Sequence, residues 1–463
     1  MKEKHFRTTS DARIAETAVL IGALAKWVLL GALTGVVAGA GVVAFLKLLH
    51  GGIEIGAHIG LWWLTLPVGG LISAALIHYV SPESYGHGTE AVIRAVNRKG
   101  GKIPILVAPV KAAATIIAIS CGASAGKEGP SAQIAGSLAS QVARLLRLGA
   151  DDHRRLTMCG LAAGFGVVTG APISGAVFAV EALVMGSPFY GGLLPAAVAS
   201  CTSVITARAL GWDHPLAVNI VAPALSPSVI LLVAACAMAI GLVSMVFIEA
   251  EEHSAHLFHQ IPVSPPVRTS IGGVCLVLLA LLFSRGYLGL GVEMYEETLQ
   301  GGAVSTWAFA LKMLFVVITL GSGFSGGAMT PIFAIGAAAG SSIGRLAGFD
   351  PAFSAAMGIA AFLAASVNAP LAASVLSLEA FGSAFGVYGF VAAIVAYTVV
   401  GHRSINATQL LGSPKSSAFS VDAGHECEAP GHVRFTPQAK RMFAFLMRSR
   451  PSEDHSSEAG QRH

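Results

Sequence analysis

Apolar positions dominate this chain, and they run in blocks with no two-residue alternation. Eight stretches are long and apolar enough to read as membrane helices: about 27–49, 57–80, 103–121, 190–210, 228–249, 268–284, 305–320 and 387–401. Between them lie shorter apolar pieces, near 131–147, 156–186, 331–346 and 353–382, cut by glycine and proline. Half-length helices persist in a bilayer only where protein or an aqueous cavity covers their ends. Their number here predicts a transport pathway built from broken helices.

The pattern also repeats. One half carries Ala171-Pro172-Ile173-Ser174 and then Glu181; the other carries Ala369-Pro370-Leu371-Ala372 and then Glu379. Proline to glutamate is nine positions in both. Lys111 leads into the glycine turn Gly122–Pro130, and Lys312 leads into Gly321–Pro331. The offsets are 201 for the lysines, 200 for Gly126 to Gly326 and 198 for the prolines. Spacing alone leaves open whether the halves are parallel or inverted. The expected organisation is an N-terminal segment 1–26, a first membrane repeat 27–210, a connection 211–226, a second repeat 227–412 and a polar tail 413–463.

Composition sharpens the picture. Of 463 residues only 12% are charged and 54% are hydrophobic, and the mean hydropathy is +0.70. Residues 1–26 hold 8 of the charges and residues 402–463 hold 14, so 32 are left for the 375 between. Soluble enzymes, nucleic-acid binders and secreted disulfide scaffolds are excluded, and an all-α polytopic membrane protein remains. The six cysteines show no CxxC spacing and read as small packing residues. Nothing calls for a cofactor or a metal.

Several glycine motifs mislead. Gly321–Gly326 matches GxGxxG, but a dinucleotide site needs a preceding buried strand, and the flanks here are apolar helices. Gly126-Lys127 lacks the spacing and the Ser/Thr of a P-loop. Gly122–Gly126 matches the GxSxG elbow of soluble hydrolases. Gly323-Phe324-Ser325-Gly326 is similar to the GxSG of intramembrane serine proteases, which need a histidine base at membrane depth. The histidines available, including His253, His256 and His259, fall in polar connecting segments, so the protease is a remote alternative.

The same glycines make a coherent anion site. A glycine turn opening onto a helix leaves backbone N–H groups free to face an anion, aided by the helix dipole. Three such turns occur, at Gly86-His87-Gly88, Gly126–Pro130 and Gly326–Pro331. If they converge, they form a site of partial positive charges that binds a halide and still releases it. Glu128 then stands out, as a carboxylate at a helix N-terminus and at membrane depth. It either gates the site and carries a proton, or caps its own helix. Lys111 and Lys312 lie in apolar runs leading toward glycine turns, where they raise the potential of a pathway or snorkel to an interface. Glu181 and Glu379 read as helix-end or interface residues.

Together these residues resemble the CLC family of chloride channels and chloride/proton antiporters, over roughly residues 27–412. Gly126-Lys127-Glu128-Gly129-Pro130 resembles its GK/REGP motif, Gly86-His87-Gly88 its first anion-binding turn, and Gly326–Pro331 its GGxFxP turn. Lys111 stands 17 residues before Glu128, as the family's helix lysine does. The resemblance implies an inverted repeat of about eighteen mostly short, tilted helices. It implies a homodimer with one pore per subunit, its interface formed around 173–210 and 371–401, in a prokaryotic inner membrane with both tails cytoplasmic. By position, Glu128 is the gating glutamate. The amides of Ala328 and Met329 hold a central anion, and those around Lys127–Gly129, with Thr330, hold an outer one. The sequence departs from the family at His87, where serine is frequent, at Asn406, where a tyrosine usually closes the inner side, and at Ala182, where known exchangers carry an inner proton-transfer glutamate. That last departure favours channel-like permeation of chloride or a similar small anion, with anion/proton antiport as the alternative. In the tail, the basic and apolar run Lys440–Arg448 is expected either to lie on the inner leaflet or to be disordered.

Overall fold

The computed structural model describes residues 9–212, 218–302, 304–427 and 431–442. Most of the basic, apolar run that starts at Lys440 falls outside them, as does part of the 211–226 connection.

Seventeen α-helices form the described structure. In order, the first eight are α1 (Thr9–Ala57), α2 (Leu66–Val80), α3 (Thr89–Arg98), α4 (Val107–Ser120), α5 (Glu128–Leu145), α6 (Ala150–Thr169), α7 (Pro172–Glu181) and α8 (Leu193–Ala209). The next eight are α9 (Pro227–His259), α10 (Pro265–Leu282), α11 (Val292–Leu299), α12 (Ala308–Gly321), α13 (Met329–Leu346), α14 (Pro351–Val367), α15 (Pro370–Phe381) and α16 (Ser383–Val399), and α17 (Pro437–Met442) closes the series. Two small sheets accompany the helices. Strand β1 (Val184–Met185) pairs in parallel with β2 (Leu410–Leu411), and β3 (Phe419–Val421) pairs antiparallel with β4 (Val433–Phe435). The C-terminal segment is thus pinned to the helical body by β2.

The breaks fall where the chain chemistry requires them. The apolar piece 156–186 splits at Gly170, which ends α6 in the left-handed region (φ 70°), and Pro172 opens α7 at a position needing no N–H. The piece 353–382 splits at Asn368 (φ 52°), with Pro370 opening α15. Two helices outrun their apolar cores. Helix α1 starts at Thr9, well before the expected 27, because residues 9–26 contain no proline to interrupt it and Glu16 and Lys26 stay exposed. Helix α9 continues through Glu251 and Glu252 to His259, so His253, His256 and His259 are helical and not in a connecting segment.

The halves correspond helix for helix, α1–α8 with α9–α16, and they meet in opposite sense. Gly126 N–H donates to Gly327 O (2.6 Å) and Gly327 N–H donates to Gly126 O (2.8 Å), an antiparallel exchange between equivalent turns. A second exchange uses the repeated glutamates. Glu181 accepts from the N–H groups of Leu371 (3.0 Å) and Ala372 (2.8 Å) at the start of α15. Glu379 accepts from Ile173 (2.9 Å) and Ser174 (2.7 Å) at the start of α7. Each carboxylate therefore caps the short helix of the other half, where its charge also meets the positive end of the dipole.

Glu181 is 5% exposed. Truncating it strands one buried and one part-buried amide, at a cost of about 1–3 kcal/mol. Glu181→Ala is expected to lower the thermal unfolding temperature in detergent more than Glu379→Ala, whose carboxylate is less buried. Equal unfolding temperatures for wild type and Glu181→Ala would remove the capping role.

Close helix approach explains much of the glycine content. A Cβ on Gly340 of α13 would stand 2.2 Å from the Ser354 carbonyl of α14, and one on Gly160 of α6 would stand 2.6 Å from the Ala135 carbonyl of α5. The same device thus packs the equivalent pairs α5–α6 and α13–α14.

Candidate functional site: an anion site at three helix N-termini

The three glycine turns converge. Gly88 ends the turn before α3, and a Cβ there would lie 2.2 Å from Gly129 O. A Cβ on Gly129 would lie 2.0 Å from His87 O and 3.1 Å from Gly327 Cα. Gly88 adopts φ 85°, a conformation open to glycine and strained for other residues. The N-termini of α3, α5 and α13 are therefore packed backbone against backbone, with no side chain between the turns. Each presents first-turn N–H groups that its own helix leaves without partners.

Glu128 lies at this junction and is 3% exposed. Its carboxylate does not cap its own helix α5. It crosses to the other half, where Oε2 accepts from Thr330 N–H (2.9 Å) and from the Thr330 hydroxyl. The hydroxyl in turn accepts from Lys127 N–H (3.3 Å). The carboxylate thus occupies an anion position at the α13 N-terminus. Charge-assisted bonds contribute about 1.5–3 kcal/mol each, and the helix end adds up to about 2 kcal/mol. An incoming anion must offset that to displace it. Ala328, Met329 and Thr330 are all buried at the same end of α13.

The lysines have contacts that spacing could not reveal. Lys111 is fully buried and donates to Ser84 O (3.1 Å) and Gly86 O (2.6 Å). Lys312, also fully buried, donates to Tyr287 O (3.1 Å), Gly289 O (2.9 Å) and Ser124 Oγ (2.8 Å). Each ammonium ties down the turn before α3 or its counterpart before α11. Lys111 therefore fixes the first glycine turn directly, and Lys312 does the equivalent work in the second half.

Asn406 is 2% exposed and lies in the segment after α16. Its Nδ2 has no hydrogen-bond partner among the described residues. The segment is held by Ile405 N–H to Ser366 O (2.9 Å) and by the Thr408 hydroxyl to Glu90 O (3.2 Å) on α3. Its neighbours Ile405 and Ala407 line a cavity of about 870 Å³ with Gly86 and His87. The segment carrying Asn406 thus shares a cavity wall with the first turn through Ile405 and Ala407. The rest of that cavity was not foreseen. Glu249, Glu251, Glu252, His253, His256 and His259 line it from the end of α9. Their spacing at three and four residues was the available signal. The predicted helix end near 249 hid it.

Ser325 has no triad. Its hydroxyl pairs with the Thr115 hydroxyl at 2.9 Å, and no imidazole contacts it among the described hydrogen bonds.

A membrane-embedded inverted repeat with opposed helix N-termini around a buried carboxylate defines the class of anion-transport proteins with broken helices. The voltage gated chloride channel family model matches residues 69–401, and this chain belongs to that family, the CLC family of anion transporters. A relative from Pseudomonas syringae pv. tomato, described as a chloride/fluoride channel protein, is 30% identical over 415 residues, 88% of this chain and 91% of its own length. The H(+)/Cl(-) exchange transporter ClcA of Vibrio cholerae is 26% identical over 351 residues, 70% of this chain and 74% of its own. The solved structure of a CLC-type fluoride/proton antiporter superposes with a TM-score of 0.80 at 28% identity, covering 84% of this chain and 98% of that one. A slow cyanobacterial Cl-/H+ antiporter shares the fold with a TM-score of 0.72 at 19% identity, covering 81% and 94%.

Proposed function

We propose that this protein is a proton-coupled antiporter of a small halide, chloride or fluoride, with Glu128 as both gate and proton carrier. The observation that carries the reading is the Glu128 carboxylate held by Thr330 in an anion position. A carboxylate there competes with the transported anion, and protonation removes its charge and its claim on the site. Anion entry and proton uptake are then linked at one place, which is what coupling requires. The names of the antiporter relatives support this over passive permeation, for which the residue-level ground is Ala182. Gly86, His87, Gly88, Lys127, Gly129, Ala328, Met329, Thr330 and Asn406 supply the anion path, and Lys111 holds its first turn in place. The unpartnered amide of Asn406 supplies a donor where the family's tyrosine usually stands, which suits a small, strongly hydrated anion.

Channel-like permeation remains the second reading, favoured by the name of the Pseudomonas relative. A reversal-potential measurement in liposomes separates the two. Under a pH gradient with symmetric halide, antiport displaces the reversal potential from zero, whereas a channel leaves it there. Repeating the measurement with fluoride in place of chloride ranks the anions. In this reading the protein works as a homodimer in the inner membrane, with both tails cytoplasmic. The 211–226 segment joins a first repeat (27–210) to a second (227–412).

A further inference from the structure

The cavity beneath the anion site contains a pair that the family resemblance does not assign. His87 Nε2 lies 3.3 Å from Glu251 Oε1, and the two side chains are only 18% and 12% exposed. The other ring nitrogen, Nδ1, is buried and has no hydrogen-bond partner among the described residues. The pair bridges two elements far apart in sequence: Glu251 comes from α9, and His87 from the turn before α3. On one side it meets the cavity of about 870 Å³, whose wall includes the exposed Glu252 and His253. On the other, the His87 carbonyl packs against Gly129, the residue after Glu128.

We propose that Glu251 and His87 form the proton relay between this cavity and Glu128, doing the work of the carboxylate absent at Ala182. The proposal rests on the antiport reading above. The two nitrogens of an imidazole point in diverging directions, so a proton accepted at one and lost from the other crosses the ring. Glu251 takes a proton from water in the cavity. The carboxylic acid passes it to Nε2 of neutral, Nδ1-protonated His87, which restores the carboxylate and gives imidazolium. The Nδ1 proton then leaves through water toward Glu128. One proton has moved, no other species is consumed, and water-assisted exchange of the Nε2 proton for one on Nδ1 restores the starting tautomer.

Three other ionisable groups near the imidazole have separate engagements, while Glu252, His253, His256 and His259 share the cavity wall. Glu90 on α3 is paired with Arg94 at 2.5 Å. Lys111 on α4 is committed to the carbonyls of Ser84 and Gly86. Glu249 on α9 is paired with Arg403 at 2.6 Å. Glu128 and Lys127 stand at the far side, at the start of α5, and Tyr85 lies in the same turn as His87. Among these carboxylates, Glu251 is the one set against the ring.

The test measures anion and proton fluxes together in liposomes. Wild type is expected to move protons against a halide gradient. In Glu251→Gln, the coupled proton flux is expected to fall at least about tenfold while halide flux stays within about threefold, since the amide keeps the contact with the His87 ring but cannot carry a proton. Glu251→Asp, which keeps a carboxyl group, should recover part of the proton flux. Glu252→Gln, in the same cavity wall, should match wild type in both. Unchanged coupling in Glu251→Gln overturns the relay and leaves the antiport reading standing. Parallel loss of halide and proton flux in Glu251→Gln also overturns it, because that marks a structural pair. A wild type that moves no protons overturns both readings.

Discussion

Glu128→Gln is expected to abolish proton coupling and to make halide flux independent of pH. In the wild type, flux should rise as pH falls, because protonation discharges the carboxylate that Thr330 holds in the anion position. Glutamine is neutral at every pH, so the variant should behave throughout like the protonated wild type. Losing one charge-assisted bond of about 1.5–3 kcal/mol weakens self-occupancy by roughly ten- to hundredfold. Halide flux in the variant should therefore equal or exceed the low-pH flux of the wild type, with proton flux at background. Halide uptake into liposomes between pH 4.5 and 7.5 reads both effects. A variant that keeps the wild-type pH profile would strip Glu128 of its role as gate.

Gly129→Ala is expected to be among the most damaging single-methyl changes in the described residues. The new carbon would sit 2.0 Å from His87 O and 3.1 Å from Gly327 Cα, and both neighbours are backbone. Nothing flexible lies there to give way, so the three N-termini must separate. The cost exceeds the usual overpacking penalty of about 1–3 kcal/mol. The expected result is aggregation in detergent, or folded protein with halide flux below about a hundredth of wild type. Gly51→Ala is the matched control. No atom lies within 4 Å of its added Cβ, and within the last two turns of α1 alanine should be neutral to slightly stabilising. Size-exclusion profiles and flux from the two variants decide the matter. Wild-type flux in Gly129→Ala would mean that the turns need not touch.

Much of the architecture is legible in the sequence because the constraints are local. Proline after a small residue opens α7 and α15, glycine or asparagine closes the helices before them, and the nine-residue spacing to Glu181 and Glu379 marks the repeat. The glycine turns announce free amides, so Gly86–Gly88, Gly126–Pro130 and Gly326–Pro331 stand out as candidate anion turns, while the resemblance singles out Lys127–Gly129 and Ala328–Thr330 within them. Pairings across the halves are not legible. Spacing places Glu181 at the end of a short helix, but it does not say that the carboxylate serves the opposite helix. For the same reason Glu128 could be read as the cap of α5, whereas it reaches α13. Lys111 and Lys312 show how burial reverses an expectation, since fully buried ammonium groups need carbonyls and find them in neighbouring turns. Hydropathy also ended α9 too early. Once the run turned polar near residue 249 the helix looked finished, yet its last turns carry the acids and histidines that line the cavity.

The reciprocal caps bear on how the chain is made. Ile173 and Ser174 wait for a carboxylate that lies 206 and 205 residues further along. During synthesis the start of α7 therefore enters the membrane with its first-turn amides unmet, and only the arrival of α15 brings Glu379. That same event supplies Leu371 and Ala372 to Glu181, so both debts are settled in one docking step. A first half released on its own would keep a buried carboxylate and open helix ends, the kind of surface that quality-control proteases and chaperones recognise. Neither short helix is capped, then, until both halves are present.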